Sequence, residues 1–398
     1  MIGLREIEAA REVVAPVIRR TPAERSDSFS TLAGRAVLLK PEHLQRTGSF
    51  KIRGAYNFLS HQPPGGVMVA ASAGNHAQGV ALAASLTGRQ ALIFMPDNAP
   101  LPKLEATRAY GAEVRLVGDG VDACIAAART YAGSEGGVFV PPFDDPRVIA
   151  GQGTIGLELV DEAPDATVVV VPVGGGGLIS GIATALAHTR RSVKVIGVEA
   201  AGAASMRDSV AAGTCVTLDR VTTMADGIAL KAPSDLTLSH VQAYVDEVVT
   251  VTEEETSRAL LLLLERAKAV VEPAGAVALA AVLAGKVAGN GPVVAVLSGG
   301  NVDPLLLIKL IDHGLSAAGR YLLLRIVLGD QPGALAGLTA EVAAMGLNVL
   351  EVEHHRAGVS LGVDEVEVLL TLETRDPDHR EQVVTDLKTK GYRVELLR

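Results

Sequence analysis

Val168-Val169-Val170-Val171-Pro172-Val173-Gly174-Gly175-Gly176-Gly177-Leu178 is the stretch on which the fold turns. Four consecutive β-branched valines favour an extended strand covered on both faces, which is how strands of a parallel sheet read. Pro172 and four glycines end that strand, and a helix-like stretch begins at Leu178. The wider run 166–189 holds no Asp, Glu, Lys or Arg, which raises a membrane-spanning helix by length alone. A proline and four glycines in mid-span make a poor membrane helix and a good joint from strand to loop to helix, so the spanning reading is set aside.

The same alternation extends outward on both sides. Short apolar runs at Val67 to Ala71, Ala91 to Met95, Glu113 to Val117, Thr167 to Val171, Lys194 to Val198 and Val293 to Leu297 read as strands. Between them, Asn75 to Ser85, Pro102 to Tyr110 and Val121 to Ala132 read as helices. Strands alternating with helices through about residue 315 predict an α/β architecture around a mostly parallel sheet. Pro141-Pro142, with Asp144-Asp145-Pro146, punctuates the middle and suggests a return between lobes.

The pattern changes near residue 318. After the small-residue link Ser316-Ala317-Ala318-Gly319, Tyr321 to Leu328 reads as a strand, and Asp330-Gln331-Pro332-Gly333 as a turn and helix start, with Asp330 as the cap and the proline in the first turn. Leu335, Leu338, Val342 and Met345 recur at helical spacing. Strands at Leu347 to His355 and Val363 to Glu373, a helix from Pro377 and a strand at Tyr392 to Leu396 complete β-α-β-β-α-β. A separate domain is therefore expected over 320–398.

Composition narrows the function classes. The chain has 398 residues, 48% hydrophobic and 20% charged, which fits two or three folded domains and excludes intrinsic disorder. A net charge of −9 argues against nucleic acid or an anionic membrane as the main partner. Cys124 and Cys215 are the only cysteines, too few for a disulfide framework or a thiolate zinc site, and they suit a reducing cytoplasm. The start, MIGLREIEAAREVV, carries acids and a helical period, unlike a signal peptide.

Several loops compete for the chemistry. Gly151-Gln152-Gly153-Thr154-Ile155-Gly156 matches the dinucleotide fingerprint, but no acid ends the strand that follows, so it is read as a helix start made of small residues. Gly174 to Gly177 follows a strand and precedes a helix, which suits a phosphate cradle, the alternative being a tight packed turn. Lys51, in Thr47-Gly48-Ser49-Phe50-Lys51-Ile52-Arg53-Gly54, lies between turn residues and a helix; by itself a lysine beside Arg53 reads as a solvated surface residue. Ala71-Ser72-Ala73-Gly74-Asn75-His76 and Leu297-Ser298-Gly299-Gly300-Asn301 each place polar groups directly after an apolar strand, where α/β sheets bind ligands. His76 is read as a packing histidine rather than a catalytic one.

Taken in order, Ser49-Phe50-Lys51-Ile52-Arg53-Gly54, Ser72-Ala73-Gly74-Asn75-His76, the Gly174 to Gly177 loop and Ser298-Gly299-Gly300-Asn301 resemble the threonine dehydratases, which are fold type II pyridoxal phosphate enzymes. Residues 320–398, with Asp330-x-Pro332-Gly333-x-Leu335, resemble the regulatory ACT domain that many of them carry. The resemblance implies an α/β, tryptophan synthase β-like, two-lobed parallel-sheet catalytic region over 1–318, with a smaller lobe of roughly 48–150 inserted in the larger. It also implies a ferredoxin-like βαββαβ ACT domain over 320–398.

The resemblance also assigns roles. Lys51 is the family's cofactor-bonding lysine and the base for the substrate's α-proton, and Phe50 lies against the ring of pyridoxal 5'-phosphate. Gly174, Gly175, Gly176 and Gly177 hold the phosphate, Asn75 the 3-oxygen and Ser298 the pyridine nitrogen. Ser72, Ala73, Gly74, Asn75 and His76 form the loop for the substrate carboxylate, and Gly227, in Ala225-Asp226-Gly227-Ile228-Ala229, matches a further segment near the substrate. The implied activity is dehydration of L-threonine to 2-oxobutanoate and ammonia, with L-serine dehydration to pyruvate as the alternative and a serine racemase-like enzyme behind it.

Two departures sharpen this. Serine racemases of the same fold place a serine, acting as a second base, where this chain has Ala73, so racemisation is expected to be weak. Relatives that bind a divalent cation use a Glu, a carbonyl and an Asp; Glu199 and Ala203 match the first two, but Ser205 replaces the Asp, which argues against a tight Mg²⁺ site and leaves room only for a weaker monovalent one. No metal ligands are therefore assigned. Other classes weighed are a nicotinamide dinucleotide oxidoreductase, from Gly151 to Gly156, and an amino-acid-binding regulator with a dead catalytic lobe, which Lys51 and Ser298 argue against. The expected partners are an amino-acid substrate and an amino-acid effector at the ACT domain, with isoleucine and valine the first candidates. A homodimer or homotetramer is expected, with no nucleic acid and no membrane.

Overall fold

The computed structural model describes residues 1–190, 192–317, 319–356 and 361–397. The chain divides into two compact units, Met1–Leu307 and Ile308–Arg398. The first begins with α1 (Leu4–Val14), β1 (Glu24–Arg25), α2 (Asp27–Ala33), β2 (Val37–Lys40) and α3 (Lys51–Ser60). There follow β3 (Val67–Ala71), α4 (Asn75–Leu86), β4 (Gln90–Met95), α5 (Leu101–Ala109), β5 (Glu113–Leu116), α6 (Val121–Ser134), β6 (Val138–Phe139) and α7 (Pro146–Glu162). Next are β7 (Val168–Pro172), α8 (Gly177–Thr189), β8 (Lys194–Ala200), α9 (Ser205–Ala212), α10 (Asp235–Tyr244) and β9 (Glu247–Val251). The unit closes with α11 (Glu253–Leu262), α12 (Pro273–Leu283) and β10 (Val293–Val296), and α13 (Pro304–Ala317) crosses the division.

Two sheets organise this unit. One has the order β1-β2-β10-β7-β8-β9, parallel except for the edge pairing of β1 with β2. The other, β5-β4-β3-β6, is wholly parallel. Strand alternation explains why their sequences read as continuous apolar runs. In the smaller sheet, Met68, Ala70, Ile93 and Met95 join the core beneath α3 and α4, while Val69, Ala71, Leu92 and Phe94 pack with Cys124 and Ala128 of α6. In the larger sheet, Val169, Val171, Val294 and Val296 share a core with Ile179, Ile182 and Leu186 of α8. No helix among the described residues is long and apolar enough to cross a membrane.

The Gly151 to Gly156 match lies inside α7, not at a helix start. Asp145 caps that helix, accepting from the Arg147 N–H at 2.8 Å. The glycines serve close approach between helices: a Cβ at Gly151 would stand 2.6 Å from the Arg53 carbonyl oxygen, and one at Gly153 would stand 2.9 Å from that of Gly181.

The second unit contains β11 (Tyr321–Gly329), α14 (Ala334–Ala344), β12 (Val349–His355), β13 (Glu365–Glu373), α15 (Pro377–Thr389) and β14 (Arg393–Leu396). Its antiparallel sheet has the order β12-β13-β11-β14. Leu322, Leu324, Ile326, Val366, Val368, Leu370 and Leu372 face one way and bury against Leu338 and Val342 of α14 and Val383 and Leu387 of α15. The α14 start differs from the sequence reading: Gly333, at φ 90°, is the cap, Pro332 precedes the helix, and Asp330 pairs instead with Arg356 at 3.3 Å. The link expected at 316–319 begins in the last residues of α13, whereas the two units divide earlier in that helix, between Leu307 and Ile308; Ala318 of that link, with Arg398 at the expected domain end, lies outside the described residues.

Candidate active site

Lys51 opens α3, directly after Phe50. Its Nζ donates to the Pro142 carbonyl oxygen at 2.9 Å and lies 5.2 Å from the Phe50 ring centre. Burial pushes the amine down to about 8, opposed by the nearby Glu272 carboxylate, so a substantial neutral fraction exists near physiological pH. A nucleophilic or basic lysine needs that condition.

Two residues after Lys51, the α3 backbone is tied into the protein interior. Arg53, fully buried, bonds Glu42 at 2.9 and 2.7 Å and Glu158 at 2.6 and 3.0 Å, and it also donates to Thr154. Lys40 reaches Glu158 and Glu162 at 2.6 and 2.7 Å. The neighbouring Arg53 of the sequence is therefore committed to buried carboxylates rather than to solvent.

The residue after Pro142 connects Lys51 to the glycine loop. Phe143 lies against Gly175 and Gly177, where a Cβ would strike its side chain, and a Cβ on Gly176 would stand 2.6 Å from Met206 and 2.9 Å from Thr237. Gly176 adopts φ 89°, the left-handed region that glycine enters without strain. The N–H groups of Gly174, Gly175, Gly176 and Gly177, at the start of α8, have no acceptor among the described residues. Orphaned donors at the positive end of a helix fit a phosphate.

The third wall is the start of α4. Gly74 N–H is taken by Ser72 Oγ at 3.1 Å, while the N–H groups of Ala73, Asn75 and His76 have no acceptor among the described residues. The His76 ring is bonded at 2.9 Å to the Val140 carbonyl oxygen. Burial, with Lys51 nearby, pushes it down to about 3, so the ring is neutral and structural and only its backbone faces the loop.

Asn75 donates through Nδ2 to Glu272 at 2.6 Å and accepts at Oδ1 from Asn301 at 2.7 Å. Gly299 leaves the room that the Glu272 side chain occupies, since a Cβ there would collide with its Oε1; Gly227 lies beside the same side chain, and a Cβ on it would press on Ala274 at 2.9 Å. Ser298 is buried, and its carbonyl oxygen accepts from Phe50 N–H at 3.2 Å while its hydroxyl makes only a long 3.4 Å contact to Ala274. A Cβ at Gly174 would sit 3.0 Å from Ile228, beside Gly227. Phe50, Lys51, Asn75, Gly174 to Gly177, Gly227 and Ser298, scattered over some 250 residues of sequence, thus form one closed chain of contacts.

Sequence reasoning missed Glu272, Pro142 and the acids around Arg53. Glu272 had a signal: it is the one charge in Val270-Val271-Glu272-Pro273-Ala274-Gly275, at a helix start. Pro142 acts through its backbone, which no residue pattern reveals. Glu199 accepts from the Met206 and Arg207 N–H groups at 2.8 and 2.9 Å, capping α9, and burial raises its carboxyl to about 7. Among the described residues no group of three His, Cys, Asp or Glu side chains is placed to hold a metal.

A buried lysine with its amine lowered to about 8, a glycine loop whose N–H groups have no acceptor among the described residues, and a serine at a strand end are the groups that a fold type II pyridoxal phosphate enzyme requires. The chain belongs to the family described as pyridoxal-phosphate dependent enzyme, whose profile matches residues 14–299. It is 47% identical over 396 residues to the L-threonine ammonia-lyase of Geobacter sulfurreducens, covering 98% of each chain. To the L-threonine ammonia-lyase of Thermotoga maritima it is 48% identical over 402 residues, covering 100% of both. Among solved structures, the processed threonine deaminase isoform 2 of Solanum lycopersicum aligns with a TM-score of 0.74 at 39% identity, over 78% of this chain and 86% of that one.

Proposed function

We propose that this enzyme is an L-threonine ammonia-lyase, eliminating water from L-threonine to leave 2-oxobutanoate and ammonia. The observation that carries the reading is the Lys51 amine, pushed down to about 8, held 2.9 Å from the Pro142 carbonyl oxygen and linked through Phe143 to a glycine loop whose N–H groups have no acceptor among the described residues. Full-length similarity to two L-threonine ammonia-lyases supports the substrate.

Pyridoxal phosphate, when bound, supplies a sink for the electron pair left at the substrate's α-carbon. In this reading Lys51 would hold the cofactor through its amine, and that amine would be the base for the substrate's α-proton. The N–H groups of Gly174 to Gly177 hold the phosphate, Phe50 packs against the ring, and Asn75 keeps one Nδ2 hydrogen for the 3-oxygen. Ser298 donates to the pyridine nitrogen; a hydroxyl, unlike a carboxylate, does not hold that nitrogen protonated, which moderates the sink and favours prompt elimination. The N–H groups of Ala73, Asn75 and His76 bind the substrate carboxylate, and Gly227 gives the substrate room. Ala73 has no proton to deliver on the opposite face, which disfavours racemisation.

The deciding assay compares kcat/KM for 2-oxobutanoate from L-threonine with that for pyruvate from L-serine. A single methyl group discriminates by only about 1 to 3 kcal/mol in a pocket, so a preference of roughly tenfold or more for threonine is the expected result. Full activity in Lys51→Ala would overturn the mechanism.

Residues 320–398 are read in the same proposal as an amino-acid-sensing ACT domain of a homodimeric or homotetrameric cytoplasmic enzyme. Support comes from the β-α-β-β-α-β order and from edge strand β12, which leaves Leu350 and Val352 exposed for a partner. Sedimentation of the purified chain, and activity with and without isoleucine and valine, test this; a monomer indifferent to every amino acid would end it.

A further inference from the structure

Glu272 is a buried acid that the roles above leave unused. It is 4% exposed at the start of α12, yet its side chain makes no capping bond to that helix. Its backbone N–H donates to the Gly299 carbonyl oxygen at 3.0 Å, and Oε1 accepts from Asn75 Nδ2 at 2.6 Å. Among the described residues the carboxylate has no ion-pair partner. A buried carboxylate without a paired cation is costly to keep, and Gly299, where a Cβ would collide with Oε1, leaves the space that it fills.

Its partner is held from the other end. Asn301 Nδ2 donates both to Asn75 Oδ1 and to the Thr47 carbonyl oxygen, each at 2.7 Å, so Asn75 must turn its oxygen to Asn301 and its nitrogen to Glu272. A side-chain amide has two N–H hydrogens, and this arrangement leaves one with a fixed direction.

We propose that Glu272 is a positioning residue for the reaction: it locks the Asn75 amide so that the remaining N–H is aimed at the cofactor's 3-oxygen, and it supplies a carboxylate close to the Lys51 amine. The inference rests on the proposed role of Asn75. The charged groups acting on Glu272 are Asp226 beside Gly227, Lys103 on α5 and Lys51 on α3. Burial and Asp226 push Glu272 up to about 7, against Asn75, Lys103 and Lys51, so its charge changes within the working range.

The test uses holoenzyme of wild type, Glu272→Gln, Glu272→Ala, Asn75→Ala and the Glu272→Ala/Asn75→Ala double variant. Three readouts are needed: the visible absorption of the bound cofactor from pH 5.5 to 9.5 without substrate, cofactor affinity, and kcat and KM. Glu272→Gln keeps an acceptor for Asn75 but loses the charge. It should fold and bind cofactor within about threefold of wild type, shift the pH dependence of the visible band, and lower kcat about tenfold with little change in KM. Glu272→Ala should weaken cofactor binding about tenfold, and the double variant should be no worse than Asn75→Ala, since residues acting through one another are not additive. A wild-type spectrum, pH profile and kcat in Glu272→Gln overturn the inference, as does a double variant whose losses multiply. If Glu272→Ala does not fold, Glu272→Gln alone decides. A wild-type chain that shows no cofactor band overturns the cofactor reading itself, which is a different outcome from a normal band indifferent to Glu272.

Discussion

The Nζ of Lys51 donates to the Pro142 carbonyl oxygen at 2.9 Å, and the next residue, Phe143, packs on the glycine loop that opens α8. One short turn therefore sets both the position of the amine and the shape of the glycine loop.

Burial of that amine has a thermodynamic consequence in apo-protein. The folded amine loses its proton near 8, the unfolded one near the ordinary 10.5, so the unfolded chain binds more protons between these values. Stability should therefore rise with pH through that window. Lys51→Met should abolish this rise and, below pH 8, stabilise apo-protein by about 1 to 2 kcal/mol, after allowance for partial exposure. Thermal melts of both proteins from pH 7 to 10 check it. In wild type, the rate of cofactor reloading should climb with pH and level off above about 8 as the neutral amine becomes dominant.

Arg53 is fully buried between Glu42 and Glu158. Arg53→Met leaves the buried Glu42 without its ion pair, while Glu158 keeps Lys40, and should cost about 3 to 5 kcal/mol in urea unfolding. Burial alone would raise the Glu42 carboxyl, but Arg53, Lys40 and the Thr21 hydroxyl together outweigh it and hold it below the ordinary 4.5. This contribution is present above pH 4.5 and is lost as pH falls through the lowered value, so acid unfolding of wild type should steepen there and be blunted in Glu42→Gln.

Gly176 combines a φ of 89° with contacts to Met206 and Thr237. Gly176→Ala should raise the cofactor dissociation constant about tenfold or more, because a strained loop withdraws its N–H groups from the phosphate. Fluorescence titration of apo-protein measures it, and far-UV circular dichroism should remain that of wild type.

Gly153 sets the spacing of α7 and α8. Gly153→Ala pushes a methyl to within 2.9 Å of the Gly181 carbonyl oxygen and should destabilise the first unit by about 1 to 3 kcal/mol. Chemical denaturation gives the value directly.

Ala73 is half-buried at the loop before α4. Ala73→Ser adds a hydroxyl where the chain has no proton donor, and the variant should release more D-enantiomer from an L-amino acid than wild type does. Chiral chromatography of the recovered substrate is the check.

Residue order alone carries those features of the fold that depend on neighbours along the chain. Runs such as Val168 to Val171 can only be strands covered on both sides, Gly174 to Gly177 can only break them, and the alternation of Val366, Val368, Leu370 and Leu372 fixes the buried face of β13. These signals survive because periodicity and glycine content are local. Tertiary structure decided what depends on approach through space. Gly151, Gly153 and Gly156 imitate a nucleotide loop until α3 and α8 are seen pressed against them. Lys51, beside Arg53, reads by itself as a solvated surface residue until its amine is found buried against the Pro142 carbonyl oxygen. Pro142 contributes a carbonyl oxygen that every residue possesses, and Glu272 acquires its meaning only when Asn75, nearly two hundred residues away in the chain, comes within 2.6 Å. Charge and hydrogen bonding act over a few ångströms of folded space, and one-dimensional order records that distance only where the fold happens to be local.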